Sequence, residues 1–166
     1  MRKFSWKRIV SPKARAISRA DAARDSRNPA AAARAYGDVI RRWGASHALL
    51  MQFGNALKDS GSFREAEQAY LDALAIRATE ADTFLQYGHL MKISGKPDKA
   101  EEFYRKALEL EPSLTAARHE VDAIVASRTI AGGGAEHHHL SIRTDMPLPA
   151  SIAYYRLVNN HRWRRG

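Results

Sequence analysis

The segment FGNALKDSGSFREAEQAY (53–70) returns further along the chain as YGHLMKISGKPDKAEEFY (87–104). Sliding the sequence against itself by 34 residues pairs Gln52 with Gln86, Phe53 with Tyr87, Gly54 with Gly88, Lys58 with Lys92 and Ser60-Gly61 with Ser94-Gly95. It also pairs Ala66-Glu67 with Ala100-Glu101, Tyr70 with Tyr104 and Ala73-Leu74 with Ala107-Leu108. A fixed period of this length arises when each unit is one small supersecondary element that cannot bury its own apolar face alone. Neighbouring units must then stack to complete the core.

Within a unit the spacing is helical. Leu50, Phe53, Gly54 and Leu57 recur at three- and four-residue steps, and so do Ala66, Tyr70, Ala73 and Leu74. Between them DSGS in one unit and SGKP in the other break the pattern. Gly61 and Gly95 suit the left-handed conformation that ends a helix, and Pro97 suits the first turn of the next, where its missing N–H is not needed. Ser62 and Glu65 have the spacing of a capping box. Each unit is therefore expected to be two antiparallel helices joined by a tight turn. Gly54 and Gly88 would let the paired helix approach, Tyr70 and Tyr104 would fill the space beside them, and Ala66, Ala73, Ala100 and Ala107 would keep the contact close.

These residues resemble the tetratricopeptide repeat, a 34-residue helix–turn–helix unit. Its pattern falls on Leu50, Phe53-Gly54, Leu57, Ala66, Tyr70, Ala73 and Ala78, and again on Phe84, Tyr87-Gly88, Met91, Ala100, Tyr104, Ala107 and Pro112. Ala78 stands where the family usually has proline. The resemblance implies an all-α, right-handed solenoid of helix hairpins. Complete repeats are expected over 47–80 and 81–114, with a degenerate one over 13–46, where Ala20 replaces the glycine while Ala32 and Tyr36 keep their places. Residues 115–130 read as a capping helix with Leu114, Ala117, Val121, Ile124 and Val125 inward and Arg118, Asp122 and Ser127 outward. Residues 1–12 form a basic arm, and 131–166 a Gly/His linker, flexible at Gly132–Gly134, followed by a basic tail.

The net charge of +9 is unevenly spread. Residues 1–27 carry nine Lys/Arg against two Asp, 28–130 carry thirteen against fourteen acids, and 131–166 carry five against two. This distribution assigns the basicity to the arms and leaves the body of the fold neutral. The chain has no cysteine, hence no disulfide frame, thiolate metal site or thiol nucleophile. Its apolar runs are too short to span a bilayer, and the opening MRKFSWKRIVSPKARAISRA lacks the continuous apolar stretch of a secretory signal.

The resemblance implies a concave face lined by the first helix of each pair. Beside the core positions of those helices run Met51, Asn55 and Lys58, then Leu85, His89 and Lys92, with Ile17, Asp21 and Arg24 in the degenerate unit and Gln52 and Gln86 adjacent. The groove is thus expected to carry an apolar row, an amide/imidazole row and a row of cations, Arg24, Lys58 and Lys92. Amides suit the backbone of a bound peptide, and cations suit acidic side chains or a terminal carboxylate. Near a helix C-terminus a lysine also serves the dipole.

Elsewhere the signals are weaker. Phe4, Trp6, Ile9 and Val10 among the basic residues of the arm fit peripheral contact with an anionic membrane, although a solvated leader is the plainer reading. HRWRR near the C-terminus is too short a basic stretch to argue for nucleic acid. His137–His139 are adjacent on a loop and do not converge as a metal shell does. No phosphate loop, Ser/His/Asp grouping or paired carboxylate stands out, so neither an enzyme activity nor a metal or cofactor is expected. The reading is a cytoplasmic, bacterial scaffold or adaptor that holds a protein or peptide partner in its groove. The alternative is the leading module of a larger bacterial enzyme such as a glycosyltransferase. Three units are near the minimum for a stable solenoid, which leaves self-association open.

Overall fold

The computed structural model describes residues 11–131; residues 1–10 of the basic arm expected over 1–12, the glycine joint, the histidine triplet and the tail lie outside them. Among the described residues there are seven helices and no strand: α1 (Pro12–Asp25), α2 (Pro29–Trp43), α3 (His47–Asp59), α4 (Phe63–Ile76), α5 (Ala81–Ile93), α6 (Pro97–Leu110) and α7 (Thr115–Ala131). Helices α1/α2, α3/α4 and α5/α6 pair as hairpins, and each hairpin packs on the next, with α7 against α6. The molecule is an all-α helical-repeat solenoid. No described helix is long and apolar enough to cross a membrane.

The three hairpin turns share one geometry. The amide of Asn28, Ser62 and Lys96 reaches back to the carbonyl of Ala23, Leu57 and Met91, respectively, at 2.9–3.0 Å. One residue earlier the chain is left-handed: Gly61 at φ 82° and Gly95 at φ 73°, but Arg27 at φ 56° in the first turn. This is the helix-ending turn that glycine makes without a Cβ penalty. Side-chain caps vary more than the turns do. Ser11, Asn28 and Ser46 accept from the amides of Ala14, Ala31 and Leu49. Ser62 makes no such bond to the start of α4, so the capping box expected there is not formed. Instead its hydroxyl lies 3.4 Å from that of Ser60 within the turn.

The core is built around three tyrosines. Tyr36, Tyr70 and Tyr104 are at most 1% exposed, with Ala32, Ala66, Ala73, Ala100 and Ala107 fully buried beside them. A Cβ placed on Gly54 would meet Tyr70 Cε1 at 2.8 Å, and one on Gly88 would meet Tyr104 Cε1 at 2.5 Å. The glycines are there because the rings press against the backbone of the first helix. Tyr87 joins adjacent units: its ring stacks on Phe103 at 4.1 Å between centroids and lies 6.1 Å from Tyr70 of the preceding hairpin.

The final helix departs from the sequence reading at one residue. Ala117, Val121 and Ile124 are buried as expected, whereas Val125 is 43% exposed. Val125 stands 34 residues beyond Met91 and 68 beyond Leu57, both buried beneath the second helix of their own hairpins. No described helix follows α7 to cover it. Arg118 and Asp122, at the places of Phe84 and Gly88, make the rest of that outer face polar, as a terminal helix requires. Arg128 ties α7 to the preceding unit by pairing with Asp98 and Glu101.

A second correction concerns charge. Residues 12–27 form α1 and its turn, so much of the basicity assigned to an arm belongs to the folded first hairpin. Over 12–46 that hairpin carries eight Lys/Arg against Asp21, Asp25 and Asp38, a net +5.

The ring-on-backbone contact is directly testable. Overpacking costs about 1–3 kcal/mol, and a mid-helix alanine recovers roughly 1 kcal/mol over glycine. The net lies between about 0 and 2 kcal/mol; Gly88→Ala, whose methyl would meet a fully buried ring at 2.5 Å, should lower stability by close to the upper figure, and Gly54→Ala, whose added methyl meets its ring less closely, by less. Urea unfolding midpoints give both values, and an unchanged midpoint for Gly88→Ala would contradict the packing described.

Candidate functional site

Helices α1, α3, α5 and α7, the first of each unit, lie side by side, and polar side chains join them in a regular ladder. Arg24 Nη1 donates to Gln52 Oε1 at 3.1 Å, Lys58 Nζ to Gln86 Oε1 at 3.0 Å, and Lys92 Nζ to Glu120 Oε2 at 2.6 Å. Each bond spans 28 residues. A cation near the end of one first helix thus meets the residue six places earlier in the next repeat, because 28 is the 34-residue period less six.

A second set of bonds runs within each hairpin, across 15 residues. The Tyr36 hydroxyl donates to Asp21 Oδ1 at 2.6 Å and accepts from Arg24 Nη1 at 3.2 Å. That of Tyr70 donates to Asn55 Oδ1 at 2.7 Å, and that of Tyr104 lies 3.0 Å from His89 Nδ1. The row Asp21, Asn55, His89 therefore anchors the core tyrosines, a role the spacing of those residues did not reveal. Burial pushes all three phenols above their ordinary pKa, so each remains protonated and able to donate at neutral pH.

The expected apolar row does not line the face. Met51 and Leu85 are 5% and 6% exposed and belong to the core. A helix inside a solenoid buries one flank against its hairpin partner and another against the neighbouring unit, and these two side chains lie on buried surface. Gln52, Asn55, Lys58, Gln86 and His89 are half-buried, while Arg24 and Lys92 are exposed.

Five of those residues meet in one place. Arg24, Gln52, Asn55, Lys58 and Gln86 line a cavity of about 510 Å³ with Arg27, Pro29, Ala32, Ala56 and Asp59. His89 and Lys92 are not among its walls; they sit one repeat further on, beside Glu120. Arg27 and Glu120 escaped the sequence reading, yet the 34-residue register contains both. Glu120 follows Gln52 and Gln86, and Arg27 precedes Gly61 and Gly95.

The three cations differ in how they are neutralised. Arg24 pairs with Asp21 at 3.3 Å and Asp25 at 3.0 Å, and Lys92 with Glu120. Among the described residues Lys58 has no ion pair. It bonds only to the neutral amide of Gln86, and burial lowers its pKa. Asp59 and Asp82 act on it only from beyond ion-pair distance, and a half-buried ammonium with no carboxylate in contact can receive an anion. No group of three or more His, Asp or Glu among the described residues is placed to hold a metal ion.

Burial also lowers the pKa of His89, against an upward pull from Glu120, and of His47, which lies 2.9 Å from Thr83 Oγ1. A histidine depressed by folding contributes stability that is present above its unfolded value of 6.5 and is lost as pH falls below it. His89→Asn, which installs the residue found at position 55, should leave Tyr104 with an acceptor. It should also make the loss of stability between about pH 7 and about pH 5 shallower than in the unaltered chain. Urea titrations at the two pH values decide it, and an equally steep loss would show that His89 takes up its proton as readily in the folded chain as in the unfolded one.

Comparison with known proteins adds to this geometry. The family model for the tetratricopeptide repeat matches residues 47–80 and 81–114. No curated protein sequence matches the chain. Among solved structures, the Arabidopsis OM64 TPR domain aligns with a TM-score of 0.63 at 21% identity, covering 69% of this chain and 95% of that one. The second TPR domain of human RPAP3, in complex with the HSP70 peptide SGPTIEEVD, gives 0.62 at 22% identity over 68% and 95%. The Yersinia enterocolitica type III secretion chaperone SycD, in complex with a peptide of the translocator YopD, gives 0.63 at 15% identity over 69% and 92%. At such identities the likeness concerns the fold alone.

Proposed function

Because the chain is a tetratricopeptide-repeat protein, with its two regular repeats at 47–80 and 81–114, we propose that it is a protein-interaction adaptor. A segment of its partner would bind across the first helices, in the cavity bounded by Arg24, Gln52, Asn55, Lys58 and Gln86. The observation that carries this reading is Lys58, half-buried in the cavity wall and bonded only to an uncharged amide. Folding an ammonium into that position, with Asp59 and Asp82 attracting it only from beyond ion-pair distance, is unfavourable unless something else meets it. A bound anion or a peptide carbonyl would do so. The exposed nitrogen of Asn55 and the amide ends of Gln52 and Gln86 supply further donors for an extended backbone. Two structures of the same fold hold peptides, the RPAP3 domain and SycD, which supports a peptide as the occupant here. His89 and Lys92 would extend the surface toward α7, with Glu120 setting the charge there.

Lys58→Glu puts a like charge against an anionic occupant while leaving the tyrosine core untouched. Proteins co-purifying with the full chain should be lost or weakened by about tenfold or more, with the thermal midpoint little changed. An unaltered set of partners at unaltered affinity would remove the cavity from the interaction.

A further inference from the structure

The first turn contains a conformational exception that coincides with the cavity. Arg27 takes the left-handed backbone, φ 56°, at the place where the next two hairpins have Gly61 and Gly95. Glycine occupies that region without strain, whereas an L residue with a side chain does so against its steric preference. The turn itself gives no reason for arginine, since its hydrogen bonds match those of the glycine-containing turns. Nor does packing, since among the described residues the Arg27 side chain makes neither an ion pair nor a hydrogen bond. What arginine adds is a cationic residue in the wall of the cavity that Arg24 and Lys58 also line. A strained residue beside a cleft points to a role in that cleft.

Resting on the interaction reading above, we propose that Arg27 is a specificity residue for an acidic side chain in the partner's bound segment. The site is formed by Arg24, Arg27 and Lys58 at the turn end of the first hairpin. Three cations line the cavity against one carboxylate, Asp59. Arg24 pairs with Asp21 and Asp25, which leaves Arg27 and Lys58 as the lining cations without an ion pair among the described residues. A guanidinium and an ammonium in the wall of one cavity can together hold a Glu or Asp carboxylate, the arginine through two parallel N–H donors. The equivalent end of the next unit differs at both points. Gly61 stands for Arg27, and Lys92 is already paired with Glu120. Charge selection therefore resides at the N-terminal end of the face.

Arg27→Gly separates the functional role from the structural one, because its two effects have opposite signs. In the full chain it should raise the thermal midpoint by removing the strain. It should also weaken binding of a glutamate-rich peptide with a blocked C-terminus by roughly three- to tenfold. NMR titration of the unaltered chain with that peptide should move the signals of Arg27, Asn55 and Lys58. Arg34→Gln, an exposed arginine outside the cavity walls, should change neither property. Undiminished binding by the stabilised Arg27→Gly protein, or an equal loss with Arg34→Gln, would overturn the proposal. So would equally tight binding of the glutamine counterpart peptide at the same residues, an outcome that leaves the interaction reading standing. If neither peptide perturbs Asn55, Lys58 or Gln86, both readings fall.

Discussion

The structure depends on a tyrosine ring pressed against a helix backbone. In each regular hairpin the ring occupies the volume that a Cβ at Gly54 or Gly88 would need, so the two helices are held at one separation and in one register. Because the hydroxyl of the same ring reaches Asn55 or His89 across the first helix, the contact fixes rotation as well as distance. The degenerate first hairpin keeps the tyrosine and the hydroxyl bond, to Asp21, but replaces the glycine by Ala20, which is fully buried. One methyl is therefore accommodated in the first hairpin, so the glycine is a condition of closest approach and not of the fold as such.

Once the hairpins share a register, polar residues at fixed places must meet their counterparts one repeat on. The bonds from Arg24 to Gln52, Lys58 to Gln86 and Lys92 to Glu120 are one contact made three times. Individually such partly exposed bonds contribute little, on the order of 0.2–1 kcal/mol. Their consequence is geometric. They hold long, flexible side chains in an ordered row along the face, so that a ligand meets donors already in position and loses less in ordering them.

Much of the fold was legible from spacing alone, because the residues that determine it act through short-range geometry. A glycine two residues after a helix end, a proline opening the next helix and an aromatic sixteen residues after a glycine each have a local meaning. The face was read less well, and for two physical reasons. Met51 and Leu85 lie beside the core positions, where a single amphipathic helix would expose them, but stacking buries a second flank that no one-helix projection includes. Asn55 and His89 read as free ligand donors, whereas their partners are tyrosines 15 residues away, visible only when the hairpin closes. Arg27 and Glu120 were missed for another reason. Both stand at positions on which the two good repeats agree, but in the flanking units, where each replaces the shared residue and so drops out of the match.

That last point bears on how a repeat protein acquires specificity. Positions that match between units, whether packed like Tyr70 and Tyr104 or on the face like Lys58 and Lys92, present the same group in each unit and so give an occupant no direction along the stack. Distinction must come from places where one unit breaks the pattern that its neighbours keep. Two such departures bear on the row of cations, Arg27 in place of glycine and Glu120 in place of glutamine, and they act in opposite directions. Glu120 neutralises the cation at the α7 end, while Arg27 adds one at the α1 end. The row of cations, uniform in the sequence, thus becomes a gradient of available positive charge. A gradient defines a direction, so an occupant with its acidic residue near one end has one favourable orientation and one unfavourable.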